Sequence, residues 1–239
     1  MTDTTTHSTE SIAATDGSGS FSAYVARPTK PGPHGAVVMI QEIFGVNHAM
    51  RALCDWVADM GFIAVAPDLF WRQEPGVDIT DGSQAEWDKA FALMNGFDQD
   101  KGIADLKAAL AFARNLEGAN GKAGTMGFCL GGRLAFMMAA RSDADCSISY
   151  YGVGLDGLLG EKEGIVRPLV LHVAERDKFV PPEAQETLKA ALQGHSQVAL
   201  YVYPGVDHAF ARMGGHSWDG LAATIANGRS ADTLQRCLG

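Results

Sequence analysis

The sequence predicts an α/β protein: a mostly parallel, twisted sheet with helices on both faces and a hairpin at the N-terminus. Three observations carry this. Ala36-Val37-Val38-Met39-Ile40 is a continuous apolar run of the kind found in strands buried on both faces. From that run onward short apolar segments alternate with segments of helical periodicity, which implies parallel strands joined by crossing helices. The chain has 239 residues, 46 % of them hydrophobic, without internal repeats or an interdomain linker, so one large domain is expected.

The elements follow in order. Residues 1–9 are rich in Ser and Thr and read as a frayed tail, leaving 10–239 as the single domain. Glu10–Ala14 and Ser20–Ala26 flank Asp16-Gly17-Ser18-Gly19 and read as a hairpin about a glycine turn. Pro28–Gly35 is loop, Ala36–Ile40 a strand, Asn47–Met60 a helix stopped by Gly61, and Phe62–Ala66 a strand. Ser83–Leu93 and Asp100–Leu116 carry apolar residues at helical spacing. Lys122–Gly127 is a short strand, Leu130–Arg141 a helix, and Cys146–Tyr150 and Pro168–Val173 strands. Pro182–Leu192 is a helix with proline in its first turn. Gln197–Tyr203 is a strand, and Ser217–Leu234 a closing helix.

Composition narrows the function. The formal charge is −9. An acidic surface repels phosphate backbones, which argues against nucleic acid as a partner. The start, Met1-Thr2-Asp3, lacks the basic residues and apolar run of a signal peptide, and no stretch reaches the roughly 18 apolar residues that span a bilayer. A cytosolic protein with no membrane partner, a monomer or weak oligomer, is expected. The cysteines, Cys54, Cys129, Cys146 and Cys237, lack paired or metal-ligand spacing, so neither a disulfide framework nor a metal site is expected, and no cofactor is implied.

Cys129 stands out by context. Gly127-Phe128-Cys129-Leu130-Gly131-Gly132 lies between a strand and a helix, the pattern G-x-nucleophile-x-G with Cys in the usual Ser position. The turn is tight, and the glycines let neighbouring backbones approach. The nucleophile then stands clear of the sheet, facing N–H groups at the helix start where an oxyanion would form. A bare motif is equally compatible with a buried small hydrophobe; the strand–turn–helix setting favours chemistry. Cys54 and Cys146 read as core, and Cys237 as tail.

A cysteine nucleophile needs an imidazole, and the imidazole an orienting acid, in the chain order nucleophile, acid, histidine. His7 and His34 lie in tail and turn, His48 precedes the nucleophile, His172 is mid-strand, and His195 follows a helix end. His208 remains, just past the strand Gln197–Tyr203, with His216 a weaker rival. Asp177 lies four residues past Val173, where a loop over the carboxyl ends of parallel strands would hold it. Asp156 is the runner-up; Asp207 adjoins the histidine, and Glu175 suits an exposed loop. The fold with this order and elbow is the α/β-hydrolase fold.

With these residues placed, the chain resembles the dienelactone hydrolase (carboxymethylenebutenolidase) family from about residue 10 to the closing helix. The matching stretches are Gln41-Glu42-Ile43-Phe44-Gly45-Val46-Asn47, Pro67-Asp68-Leu69, Gly127–Gly132, Tyr150-Tyr151-Gly152-Val153-Gly154 and His208-Ala209-Phe210-Ala211-Arg212. The resemblance implies a triad of Cys129, Asp177 and His208 and an oxyanion hole from the backbone N–H groups of Ile43 and Leu130. It also implies that Glu42 contacts the resting thiol and is displaced by substrate to take its proton. That would spare a standing thiolate from oxidation. By its sequence position alone Glu42 reads as a surface carboxylate near a helix start. Arg212 matches a family arginine that grips the substrate carboxylate. Characterised members carry a second arginine, a tyrosine and a tryptophan where this chain has Trp87, Phe91 and Met94, and Ala209 replaces a usual serine. These departures point to a small ester or lactone less anionic, or differently shaped, than the family's dienelactone, with Arg72 the first suspect for any second cation. A ligand-binding protein on the same scaffold, or a thiol acyltransferase, are the rival readings.

Overall fold

The computed structural model describes residues 5–239. They form two compact units, one running to Gly124 and including Leu238–Gly239, and one of Thr125–Cys237.

In the first unit, strands β1 (Thr5–Ala13), β2 (Ser20–Pro28), β3 (His34–Ile40) and β4 (Ile63–Pro67) lie in the order β1-β2-β4-β3. The β1/β2 and β2/β4 pairs are antiparallel and β3/β4 is parallel. The hairpin is longer than expected. The ladder runs back to Thr5, opposite Pro28, so residues 5–9 are strand and not frayed tail; residues 1–4 of that tail lie outside the described residues. Threonines suit a pleated edge. Arg27 also ties the strand down by reaching Ser8 at 2.6 Å and Glu10 at 3.3 Å.

Helices α1 (His48–Asp59), α2 (Gln84–Asn95) and α3 (Gln99–Arg114) each begin on a side-chain cap. Asn47 accepts from Met50 N, Ser83 from Glu86 N, and Asp98 from Asp100 N and Lys101 N. These caps satisfy backbone donors that the first turn leaves open, which is why the elements start one residue after the polar residue. Helix α1 packs on β2 and β4, and α3 on β3 and β4.

The second unit holds the end of β5 (Ala119–Phe128), then α4 (Leu130–Arg141), β6 (Ser147–Tyr150), β7 (Leu169–Ala174), α5 (Pro182–Leu192), β8 (Val198–Tyr203) and α6 (Gly220–Leu238). Its strands run β5-β6-β7-β8, all parallel. The order places the carboxyl ends of β5, β7 and β8, with the loops after them, on one edge. A 3-10 helix at Leu155–Gly164 had no sequence signature. Its Gly157, Gly160 and Gly164 break helical patterning. Cys237, expected in a tail, lies in the last turn of α6. Among the described residues no helix is long and apolar enough to cross a membrane.

Candidate active site

The nucleophile elbow is built by sterics. Cys129 sits between β5 and α4 with φ 56° and ψ −113°, a conformation costly for a residue with a Cβ. The glycines around it explain how the turn closes. A Cβ on Gly127 would fall 1.9 Å from the carbonyl oxygen of Gly131, and one on Gly132 2.6 Å from the carbonyl oxygen of Tyr150. The Cys129 N–H donates to Tyr150 O at 3.1 Å, which ties the elbow to β6. Leu130 opens α4, so its N–H is among those with no acceptor inside the helix. The Cys129 side chain is nearly buried, at 8 % exposure.

Asp177 and His208 meet. Nδ1 of His208 lies 2.8 and 3.0 Å from the two carboxylate oxygens of Asp177, and both side chains are buried. Asp177 stands in a turn after β7 and also accepts from Phe179 N at 2.9 Å, so its carboxylate is oriented from two sides. The imidazole lies edge-on to the rings of Phe179 and Tyr151, with centroids at 4.8 and 5.0 Å. Burial alone would lower the His208 pKa. The charge of Cys129 in its thiolate form, the hydrogen bond to Asp177 and the Asp177 charge outweigh it and raise the pKa to about 10.

The rival groups stand elsewhere. Asp156 is exposed on the 3-10 helix, and its charge acts on Arg133. His216 is exposed. Asp207 accepts from Lys178 N at 3.1 Å and His208 N at 2.6 Å, a loop brace. Glu175 is exposed and accepts from Gly205 N. Arg212 follows in the same loop, its N–H on Ala209 O at 3.0 Å. Its side chain lies across Gly215, where a Cβ would come 2.8 Å from Arg212 Nε.

The remaining candidates belong to the first unit. Glu42 and Ile43 follow β3 and are buried, Glu42 at 8 % exposure. The surface-carboxylate reading of Glu42 is therefore wrong; three residues on, Gly45 passes so close to Val77 O that a Cβ there would sit 1.9 Å away. Trp87 and Phe91 stack on α2 with centroids 5.5 Å apart, and Trp87 meets Phe44 edge-on at 5.1 Å. The indole N–H donates to Asp81 O at 3.2 Å. Arg72 is committed elsewhere. It pairs with the buried Asp105 at 2.8 Å and with Asp16 at 3.2 Å, lies over the Trp71 ring, and bonds Ser18. That network holds the hairpin turn and removes Arg72 as a second substrate cation. Among the described residues no group of three or more His, Cys, Asp or Glu side chains is placed to hold a metal ion.

Sequence reasoning missed Tyr151. Its backbone has φ 39°, its ring is buried against the imidazole, and only the Tyr150-Tyr151-Gly152 stretch hinted at it.

Comparison with known proteins fits this geometry. The model of the dienelactone hydrolase family matches residues 21–238. A carboxymethylenebutenolidase from Cupriavidus pinatubonensis is 40 % identical over 90 % of this chain and 92 % of its own. A protein of Azospirillum brasilense, provisionally given the same name, is 56 % identical over 96 % of this chain and 98 % of its own. Among solved structures, a provisionally assigned dienelactone hydrolase from Klebsiella pneumoniae superposes with a TM-score of 0.83 at 26 % identity, over 97 % of this chain and 99 % of the other. The fold is the α/β-hydrolase fold, with helices on both sides of a mixed sheet. On these matches the chain belongs to the dienelactone hydrolase family, a family of hydrolases.

Proposed function

We propose that the enzyme hydrolyses a small ester or lactone with Cys129 as nucleophile, His208 as base and Asp177 as the acid that orients it. The observation that carries this reading is the strained backbone of Cys129 at the strand–helix elbow, whose thiolate form is the strongest upward influence on the pKa of His208. In the reaction the thiol gives its proton to Glu42 as substrate enters, a role taken from the family resemblance, and the sulfur attacks the carbonyl carbon. The carbonyl electrons move onto oxygen, where the Leu130 N–H and, by family resemblance, the Ile43 N–H stabilise them. Collapse of the tetrahedral species breaks the C–O bond, and the imidazolium protonates the leaving alkoxide. In a lactone that alkoxide stays tethered to the acyl group. Neutral His208 then takes a proton from water, the hydroxide attacks the thioester, the thiolate leaves, and Glu42 returns the proton that restores the thiol.

Glu42 is proposed, from the same resemblance, to receive the thiol proton when substrate enters. Arg212 is proposed to meet an anionic group of the substrate through paired hydrogen bonds, with Trp87 and Phe91 presenting apolar surface. The relatives' names support a lactone as substrate; the loss of a second arginine supports one with less negative charge. We read the described residues, 5–239, as one domain and the enzyme as cytosolic. Turnover of an activated aryl ester by the wild type, and its loss in Cys129→Ala, tests the proposal. Undiminished turnover in that variant would refute it, and binding of lactone without turnover by the wild type would favour a ligand-binding role.

A further inference from the structure

Among the described residues, the non-glycine positions with positive φ are Cys129, Tyr151 and Ala209. Cys129 and the residue beside His208 belong to the site already described. Tyr151 has no part in the proposed chemistry, yet it carries the same kind of strain and the surrounding fold holds it there. Its own N–H donates to His172 O at 2.8 Å, and the preceding Tyr150 O accepts from Cys129 N. The following Gly152 lies so close to α4 that a Cβ would come 2.9 Å from Gly132 C.

The anchor beneath it is a hydrogen-bond chain, buried at its centre and part-buried at its ends. Arg229 can only donate, and it does so to Tyr203 Oη at 3.0 Å. The Tyr203 hydroxyl in turn donates to His172 Nδ1 at 2.8 Å, which leaves the His172 Nε2–H for Ser230 Oγ at 3.0 Å. Ser230 meets Tyr150 Oη at 2.6 Å, and Tyr150 donates to Asn227 Oδ1 at 2.9 Å. The donors run in one direction, which requires a neutral His172; burial and the Arg229 charge hold its pKa down, at about 3. Tyr150 is thereby fixed at its far end, and the backbone that turns at Tyr151 is fixed at both.

What this fixed turn delivers is a ring. Tyr151 is fully buried. Its ring meets His208 edge-on at 5.0 Å and 63°, and rests on Phe210 at 5.7 Å and Phe128 at 6.1 Å. Asp177 fixes the imidazole at Nδ1 only. The ring can still swing about its Cβ–Cγ bond as that contact lengthens, and the Tyr151 ring packed against it limits the swing. Backbone strain kept by an over-determined surrounding points to function.

We infer that Tyr151 is a positioning residue that holds the plane of the His208 imidazole, its strained backbone being pinned by the Arg229–Tyr203–His172–Ser230–Tyr150 chain. The inference rests on the triad reading above. The test compares the pH dependence of Cys129 alkylation by iodoacetamide, and of kcat and KM for an activated aryl ester, in wild type, His208→Gln, Tyr151→Phe and Tyr151→Leu. Tyr151→Leu is expected to lose about ten- to a hundredfold in kcat with little change in KM, since small misplacement of a catalytic group acts on the transition state. It should also move the alkylation midpoint in the same direction as His208→Gln. Tyr151→Phe, which keeps the ring, should rescue both. If Leu does not fold, Tyr151→Met refills the volume with a flexible side chain and is read in the same way. A wild-type midpoint and kcat in the folded Leu or Met variant, alongside a shifted His208→Gln, overturns the inference and leaves the triad standing. A loss of kcat in Tyr151→Phe as large as in Leu also overturns it, because the ring would then not be the active feature. An unshifted His208→Gln refutes the triad reading itself.

Discussion

At the scale of the residue, the site depends on two buried histidines held in opposite protonation states. His208 is raised to about 10 from an ordinary 6.5, and His172 is lowered to about 3. For His208 the folded protein keeps a proton that the unfolded chain releases. Its contribution to stability is therefore complete below about 6.5 and falls as pH rises from there towards 10. For His172 the unfolded chain takes a proton that the fold refuses, so its contribution is complete above about 6.5 and falls as pH drops towards 3. Denaturant unfolding across this range should show both slopes. His208→Gln should flatten the alkaline limb alone, and His172→Gln the acid limb alone; an unchanged alkaline slope in His208→Gln would contradict the raised state. At Arg212 the expected outcome concerns substrate. Arg212→Ala should lower kcat/KM for a carboxylate-bearing lactone by about ten- to a hundredfold, as for one charge-assisted contact, and leave the neutral analogue nearly unchanged. A carboxylate preference that survives the loss of Arg212 would require another cation, and Arg72 is already bound to Asp105.

At the scale of the element, what was legible in the sequence was whatever local chemistry decides. Asn47 and Ser83 stand where the sequence starts α1 and α2, because a side-chain oxygen there caps open donors, whereas α3, read from Asp100, begins at Gln99 on the Asp98 cap. The glycines about Cys129 announce the elbow because only they leave room for it. Asp177 and His208 were found by chain order and loop position, and their meeting is set by where β7 and β8 end. What depends on distant partners was not legible. The strand at Thr5–Thr9 is held by Arg27 from across the hairpin. The close approach of Gly45 to Val77, in the loop that carries the buried Glu42, and the bond from Tyr151 N to His172 O are of this kind. Two outcomes test the elements. Gly127→Ala places a Cβ 1.9 Å from Gly131 O, so the elbow must open. Activity should fall with a destabilisation of about 1–3 kcal/mol or more, read by urea unfolding. Arg72→Ala leaves the Asp105 carboxylate, 2 % exposed, with the Trp71 indole as its remaining bond. Removing one partner of a buried pair costs about 3–5 kcal/mol, and the same unfolding measurement should show a large loss with the substrate preference unchanged. A loss below about 1 kcal/mol would mean the network is solvated.

At the scale of the whole molecule, the apolar pattern and the order of strands and helices were enough to give the fold class, because a parallel sheet covered by helices imposes both. The substrate was the least legible part. Trp87 and Phe91 stack on one another and on Phe44, so their identity serves the packing of α2 as well as any ligand. The claim on which the rest depends is that Cys129 becomes acylated. The most direct measurement is rapid quenching of the enzyme during turnover of p-nitrophenyl acetate, followed by mass spectrometry of the whole chain and of its peptides. One acetyl group on Cys129 is expected in the wild type. It should accumulate further in His208→Gln if deacylation slows more than acylation, and it should be absent, with turnover lost, in Cys129→Ala. An acetyl group on a different residue, or undiminished turnover by Cys129→Ala, would contradict the account.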